Sequence, residues 1–422
     1  MKRIKRIISF LGPGFITGAA DDDPSGIVAY SQTGAVFGLK QLWTAPFSFP
    51  FMYVVQEMCG KIGLVTGKGL AGVIKTHYKP WLLYFSISLL FIANVINIST
   101  DLGAMAASLE LLFNLPFMFW IIIVTLVTLA LEIFVSYKVY SKYLKYLAFS
   151  LLLYIVSAFF IKIDFKEVLL STIVPNFIFS KDYIFNIVAV FGTTISPYLF
   201  FWQSYEEVEE EVVLGKIKSM GAGVPRVFKR DIDRLRIDTA VGMFFSNLIM
   251  WFIIFVAGST FYVSGIKDIS TAADAAFALK PLAGDYAFIL FALGIVGTGL
   301  LAVPILAGSC SYALSEALGM KVGLSQKLNK AHGFYGTIAL AMIAGLLINF
   351  IGISPIKALY YTAILNGIIA PPLIFIILLI SNNKEIMGER VNGRTTNILG
   401  LFIGIFMTFF SLLLIASLFG II

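Results

Sequence analysis

The stretch Gly18-Ala-Ala-Asp-Asp-Asp-Pro-Ser-Gly26 interrupts the first hydrophobic segment of the chain, residues 8–36. A carboxylate at the centre of a bilayer costs about 2.5 to 3.5 kcal/mol on insertion scales, so three adjacent aspartates heavily penalise a simple membrane span. A bound cation, a water-filled cavity, or both would offset that cost. The stretch therefore predicts a functional site inside a membrane protein.

The composition extends this prediction to the whole chain. The 422 residues are 59% hydrophobic and 13% charged, and the mean hydropathy of +0.91 lies outside the range of soluble domains. Apolar stretches of about 20 residues, enough to cross roughly 30 Å of hydrocarbon, recur throughout. We expect an all-α integral membrane protein, a single transporter domain over 1–422, with eleven spans at about 8–36, 41–60, 82–110, 115–135, 143–162, 184–209, 237–263, 284–316, 335–352, 355–381 and 395–420.

The lysines and arginines predict an orientation in the bilayer. If the N-terminus is cytoplasmic, 24 of the 31 basic residues fall on the cytoplasmic side, and the C-terminus lies outside. The net charge of +7 is then a signal of topology, and no nucleic-acid partner is expected. We expect a multi-pass protein of a prokaryotic inner (cytoplasmic) membrane, whose oligomeric state the sequence leaves open.

A second interruption, Gly192-Thr-Thr-Ile-Ser-Pro-Tyr198, lies in the sixth segment. Asp23-Pro24 and Ser196-Pro197 both resemble the start of a new helix, with a capping residue before proline. Broken helices at matching positions of two halves indicate an inverted-repeat transporter with a site at the bilayer midplane. We expect repeats over about 8–162 and 184–381, with 395–420 as an additional helix. The alternative is a pair of proline kinks in ordinary helices.

Oxygen atoms at the two breaks form a candidate metal site. Asp23 is the expected direct ligand, and the carbonyls of Ala20 and Thr193 with the Ser196 hydroxyl offer further oxygens. Such a set suits Mg²⁺, Ca²⁺ or Mn²⁺ better than Zn²⁺ or Cu²⁺. Side chains alternate in an unwound stretch, so we expect Asp21 and Asp23 on one side and Asp22 on the other.

Further polar side chains mark a candidate permeation path. Gln203, Glu207 and Glu210 follow Ser196 along one helical stripe and suggest an electronegative vestibule, although a solvated helix end would look the same. We assign Asp21, Asp22 and Tyr198 to the same path. In segment three Asn94, Asn97 and Asp101 share a stripe; we assign the asparagines to helix packing and Asp101 to function. Motifs of hydrolases and of nucleotide and dinucleotide binding are missing, so neither an enzyme nor a resident cofactor is expected.

Several motifs in matching order resemble the Nramp family of divalent metal transporters over about residues 10–410. They are Gly12-Pro-Gly-Phe15, Asp23-Pro24, Gly63-Leu-Val-Thr-Gly-Lys-Gly-Leu-Ala71, Thr100-Asp101, Ile237-Asp238-Thr239 and Ile386-Met-Gly-Glu-Arg-Val-Asn-Gly-Arg-Thr-Thr-Asn397. The resemblance implies the LeuT-type fold, two inverted five-helix repeats plus one helix, with helices 1 and 6 broken. It also implies a divalent metal ion as the substrate.

The departures from the family pattern concern the ligands. The family's Asp-Pro-Gly-Asn becomes Asp23-Pro24-Ser25-Gly26, so Gly26 is the candidate-site position that loses an amide. Its Met-Pro-His becomes Ser196-Pro197-Tyr198, which removes a thioether and a histidine. Its later histidine falls at Gln203, its segment-three glutamate at Ala104 and its segment-ten glutamine at Ile369, so Asp23 alone survives among the side-chain ligands.

This pattern is similar to the Nramp-related magnesium transporters, which implies a hard ion, Mg²⁺ or Mn²⁺. With both segment-six histidines replaced, we expect weak or no proton coupling. Two alternatives stay open from the sequence. One is a LeuT-fold carrier of a small organic anion or zwitterion, because two half-helix N-termini would favour a negative group. The other is a metal sensor that does not transport.

Overall fold

The computed structural model describes residues 12–135, 151–161, 164–178, 180–280, 284–324, 326 and 328–420. All regular structure in these ranges is helical. The helices are α1 (Pro13–Asp21), α2 (Pro24–Phe37), α3 (Thr44–Thr66), α4 (Leu70–His77), α5 (Pro80–Phe113), α6 (Phe117–Phe134), α7 (Leu152–Ala158), α8 (Phe165–Ile173), α9 (Lys181–Thr194), α10 (Pro197–Val213), α11 (Lys229–Ala257), α12 (Ala272–Ala276), α13 (Ala287–Leu318), α14 (His332–Ile348), α15 (Pro355–Asn382), α16 (Lys384–Met387) and α17 (Arg394–Leu418).

Both predicted helix breaks are present, and each is two residues long. Asp22 and Asp23 separate α1 from α2, and Ile195 and Ser196 separate α9 from α10. In both places proline opens the second half-helix, since it needs no hydrogen-bond partner for a backbone N–H and has a helical φ.

Within the described ranges, eight helical stretches are long and apolar enough to cross a membrane. In the most apolar part of the α9–α10 stretch 94% of residues are buried, against 28% for α6 and 39% for α17. The broken helix therefore lies at the centre of the bundle, and α6 and α17 lie at its periphery. The first segment is not among the eight, because Asp21, Asp22 and Asp23 give it too many charged residues for an apolar span.

Some helices extend beyond the predicted apolar spans. The seventh helix begins at Lys229, before the predicted span at 237–263, because its polar first turns are held by packing and ion pairs and give no hydropathy signal. Helices α4, α8 and α12 lie between the predicted spans. Residues 143–150 and 162 of the fifth predicted span lie outside the described residues, as do the basic residues before Gly12. The repeat boundaries remain a prediction.

Close backbone contact fixes the first half-helix against the seventh membrane segment. A Cβ added to Gly18 of α1 would lie 2.3 Å from the carbonyl of Gly242 in α11, and one added to Gly242 would lie 2.2 Å from the Gly14 oxygen. Only residues without side chains permit this approach, as is common where membrane helices pack closely. The contact places the aspartates beside α11.

Candidate functional site

The two helix breaks face each other in the middle of the bundle. The Ser25 hydroxyl lies 3.2 Å from the Thr193 hydroxyl, and the Tyr30 hydroxyl lies 2.9 Å from that of Thr194. These contacts join residues more than 160 positions apart in the chain. The structure therefore brings together the two interruptions that the sequence singled out.

Asp23 lies in this junction with an exposed fraction of 1%. Its Oδ1 accepts hydrogen bonds from the Gly26 backbone N–H at 2.8 Å and from the Ser25 hydroxyl at 2.6 Å. The carboxylate thus caps α2, as the Asp-Pro pair predicted. Capping occupies one oxygen and leaves Oδ2 with a single long contact, 3.4 Å from the Tyr198 hydroxyl.

The predicted alternation of the three aspartates was wrong. Asp21 is still helical, so the unwound stretch is too short for side chains to alternate along it. Asp21 and Asp22 instead turn to one partner, the Ser246 hydroxyl of α11, at 2.6 Å and 3.5 Å. One oxygen of each, Asp21 Oδ1 and Asp22 Oδ2, is buried without a hydrogen-bond partner.

Asp101 of α5 adds a fourth buried carboxylate. It is fully buried, neither of its oxygens accepts a hydrogen bond, and it lies within electrostatic range of Asp23. Asn94 donates to Leu306 and Ser309 of α13, and Asn97 exchanges hydrogen bonds with Asn366 of α15. The asparagines of this stripe hold helices together, as expected, whereas Asp101 faces the aspartates without a partner.

Tyr198 makes contacts that the sequence did not indicate. Its hydroxyl donates to the Ala20 carbonyl at 2.8 Å and lies 3.4 Å from Asp23 Oδ2. Two of the candidate ligands therefore share the tyrosine as a partner. In this conformation the tyrosine hydroxyl occupies the space between the Ala20 carbonyl oxygen and Asp23 Oδ2, which an ion bound to both oxygens would also need.

The remaining candidate ligands are partly engaged. The Ser196 hydroxyl donates to the carbonyls of Gly192 and Thr193 at 2.9 Å and 2.6 Å, and it makes no capping bond to α10. Gly26 gives Asp23 a backbone N–H. A Cβ at Gly26 would lie 3.3 Å from the Asp21 carbonyl and 3.4 Å from the Thr193 hydroxyl, so this position lies between the two breaks.

The predicted path below the break is a set of paired side chains. Gln203 donates to Glu207 at 2.9 Å, so these two do share a helical face. Glu210 forms an ion pair with Arg234 of α11 at 2.7 Å. Glu207 and Glu210 also line a common cavity with residues of α11. The structure thus places the acids between two helices and not on a freely solvated helix end.

Sequence reasoning gave no site role to two anchoring residues in α11. Ser246 holds Asp21 and Asp22, and Asp238 accepts hydrogen bonds from the backbone N–H groups of Gly12 and Gly14 at 2.8 Å and 2.7 Å. The available signal was a hydroxyl within an apolar segment for Ser246 and the Ile237-Asp238-Thr239 motif for Asp238. Together they fix α1 at its start and at its end.

The chemistry of the junction is that of oxygen ligands. Among the described residues, no three His, Cys, Asp or Glu side chains converge into a ready chelate, and none of Asp21, Asp22, Asp23 and Asp101 pairs with Lys or Arg. The hydroxyl oxygens of Ser25 and Tyr198 contact the Asp23 carboxylate, and the Thr193 hydroxyl lies next to that of Ser25. An ion that keeps some of its water, with Asp23 as a direct ligand, fits such an arrangement.

Residues 14–417 match the family model described as natural resistance-associated macrophage protein-like, Nramp. The match covers nearly the whole chain, including both breaks. The chain belongs to the Nramp family. Members of this family are transporters, so the protein is a multi-pass membrane transporter and not an enzyme.

Two Nramp relatives illustrate how far the similarity extends. The chain is 26% identical over 412 residues to the divalent metal cation transporter MntH of Caldanaerobacter subterraneus subsp. tengcongensis, covering 96% of this chain and 92% of the relative. It is 24% identical over 430 residues to MntH of Bacillus subtilis, covering 99% and 94%.

Solved structures confirm the predicted fold. The Eremococcus coleocola manganese transporter superposes with a TM-score of 0.76 at 16% identity, covering 98% of this chain and 87% of that one. Mhp1, a nucleobase-cation-symport-1 family transporter, gives 0.56 at 12% identity, covering 97% and 92%. The chain therefore has the LeuT-type fold of two inverted five-helix repeats with helices 1 and 6 broken.

Proposed function

We propose that this Nramp protein transports divalent metal cations across the membrane through the junction of its two broken helices, with Asp23 as the direct ligand. The observation that carries the proposal is the set of four buried aspartates, Asp21, Asp22, Asp23 and Asp101, none of which has a basic ion-pair partner among the described residues. A buried negative charge is costly unless it is paired or coordinates a metal. The cation is cargo in this proposal and not a resident cofactor.

We further propose a hard ion, Mg²⁺ or Mn²⁺. Ser196 and Gly26 stand where the family pattern has a thioether and an amide, and the side-chain atoms that contact the Asp23 carboxylate are hydroxyl oxygens. Carboxylate, carbonyl and water ligands suit Mg²⁺ and Mn²⁺, whereas a thioether favours softer ions. The names of the relatives, divalent metal cation transporter and manganese transporter, agree with this ion class.

Weak or absent proton coupling completes the proposal. His77 and His332 are exposed at helix ends, and Tyr198 and Gln203 occupy buried positions in the first half of α10 without the titration near neutral pH that histidine provides. A divalent ion entering down an inside-negative potential of about 100 mV gains about 4.6 kcal/mol without a proton. The substrate gradient and the potential are then sufficient to drive uptake.

The expected orientation also remains a proposal, with the segment before α1 cytoplasmic and the segment after α17 outside. Native Cys59 and Cys310 are buried, so an introduced cysteine can report its own side. Lys166→Cys should react with a membrane-impermeant maleimide from outside, and Lys384→Cys should react only after permeabilisation. Both native side chains are exposed. The reverse labelling pattern would show that the protein has the opposite orientation in the membrane.

Uptake into proteoliposomes tests the function itself. Mg²⁺, Mn²⁺ and labelled small organic acids should be compared side by side at the same protein density and potential. We expect Mg²⁺ and Mn²⁺ to enter and to compete with each other, and the organic acids to stay outside. Uptake of an organic acid without a divalent cation would favour the solute-carrier alternative and contradict the proposal.

A further inference from the structure

A small acidic cavity lies between α10 and α11, away from the helix breaks. Its volume is about 30 Å³. Five carboxylates and two basic groups line it, from Glu207, Glu210, Glu211, Asp231, Asp238, Lys216 and Arg234. The apolar lining comes from Pro13 of α1, Leu64 of α3, Leu214 at the end of α10 and Leu235 of α11, so four helices meet here at their predicted cytoplasmic ends.

The carboxylates of this α10–α11 cavity outnumber its cations by three, and most of them already have assigned partners. Glu210 pairs with Arg234, and Lys216 pairs with Glu211 at 2.8 Å and with Asp231 at 3.3 Å. Both oxygens of Asp238 hold the start of α1. These pairs use the two available cations completely and leave negative charge without compensation.

Glu211 provides the independent sign of a ligand. Its exposed fraction is 1%, and its Oε2 accepts no hydrogen bond. An unpaired buried oxygen on a charged group is expensive, so it normally has a water or an ion as partner. Because the surrounding charge is negative, a cation is favoured over a neutral water.

We propose that the α10–α11 cavity is a second divalent-cation site, in which Glu211 and Glu207 bind a partly hydrated ion at the predicted cytoplasmic ends of α10 and α11. One water needs about 10 to 15 Å³, so the cavity holds an ion with one or two waters. No three described acids converge into a chelate, which suits an ion that keeps water, as Mg²⁺ does. The proposal rests on the proposed function only for the choice of a divalent ion.

Equilibrium binding of Mn²⁺ to the purified full chain in detergent tests this site. Wild-type protein should bind two Mn²⁺ ions per chain, and Asp23→Asn should bind one. In the Asp23→Asn background, Glu211→Gln should weaken the remaining ion at least about tenfold. Asp233→Asn is the matched control. It removes an exposed carboxylate of α11 that lies between Asp231 and Arg234 in the sequence but does not line the cavity.

The outcomes separate this proposal from the transport proposal. If wild-type protein binds one ion, and Glu211→Gln abolishes this binding whereas Asp23→Asn does not, the result supports the second site and counts against the central one. The second site is overturned if Asp23→Asn binds no Mn²⁺, or if the Mn²⁺ that it binds is unaffected by Glu211→Gln. If Glu211→Gln does not yield a monodisperse protein, Glu207→Gln must produce the same loss.

Discussion

Tyr198→Phe is the sharpest probe of how the central site receives its ion. The tyrosine hydroxyl donates to the Ala20 carbonyl at 2.8 Å and lies 3.4 Å from Asp23 Oδ2. An ion that binds these two oxygens must first displace the hydroxyl. Removing it should therefore favour binding, because the ion no longer competes with an internal hydrogen bond.

The size of the effect follows from these contacts. The bond to Ala20 has good length and a neutral acceptor, which corresponds to about 1 kcal/mol, and the longer contact adds little. We expect the dissociation constant of Mn²⁺ at the central site to fall roughly fivefold. Isothermal titration calorimetry on purified protein gives this constant directly, with Glu211→Gln as a common background.

Tyr335→Phe is the matched control for this prediction. It also removes a tyrosine hydroxyl that donates to a backbone carbonyl at 2.8 Å, that of Gln326, but does so at the start of α14. Its Mn²⁺ affinity should equal that of the background protein. If Tyr198→Phe instead weakens Mn²⁺ binding severalfold, the hydroxyl is a ligand for the ion and the displacement argument is refuted.

Three further predictions concern selectivity, coupling and packing. Ser196→Met should shift the ion preference from Mg²⁺ toward Mn²⁺ and Cd²⁺ in competition uptake. Ser196→Leu, whose side chain is of similar size but lacks sulfur, should not cause this shift. Equal shifts in the two variants would assign the effect to side-chain size. A pH-sensitive dye inside proteoliposomes should report no stoichiometric acidification during Mg²⁺ uptake, and acidification abolished by Asp101→Asn would contradict the uncoupled account. Gly18→Ala should destabilise the protein by about 1 to 3 kcal/mol in thermal unfolding, because the added Cβ would meet the Gly242 backbone. Gly336→Ala should not destabilise the protein, because the space around Gly336 is open.

The main features of the fold could be predicted from local sequence signals. Asp23-Pro24 and Ser196-Pro197 predicted two helix starts because capping and proline chemistry depend on neighbouring residues only. The start of α11 could not be predicted from hydropathy because its first turns are polar, although ion pairs with α3 and α10 hold them in place.

The arrangement of the site was less accessible from sequence. Tyr198 and Asp23 are separated by 175 residues, so their contact depends on how α10 lies against α1. The orientation of Asp21 and Asp22 depended on the exact length of the break, because one further helical residue turns both toward Ser246. Sequence patterns identified the polar residues but did not reveal their partners.

The most direct test of the central claim is Mn²⁺ and Mg²⁺ uptake by Asp23→Asn in proteoliposomes. Asparagine keeps the size and the capping ability of the side chain and removes only the charge. Asp164→Asn is the matched control, since the Asp164 side chain also caps a helix, α8, but at an exposed position. With Asp23 as the direct ligand, uptake of both ions should fall close to that of empty liposomes in Asp23→Asn and remain at the wild-type rate in Asp164→Asn. Wild-type uptake by a folded Asp23→Asn protein would show that Asp23 is only a helix cap and would contradict the account.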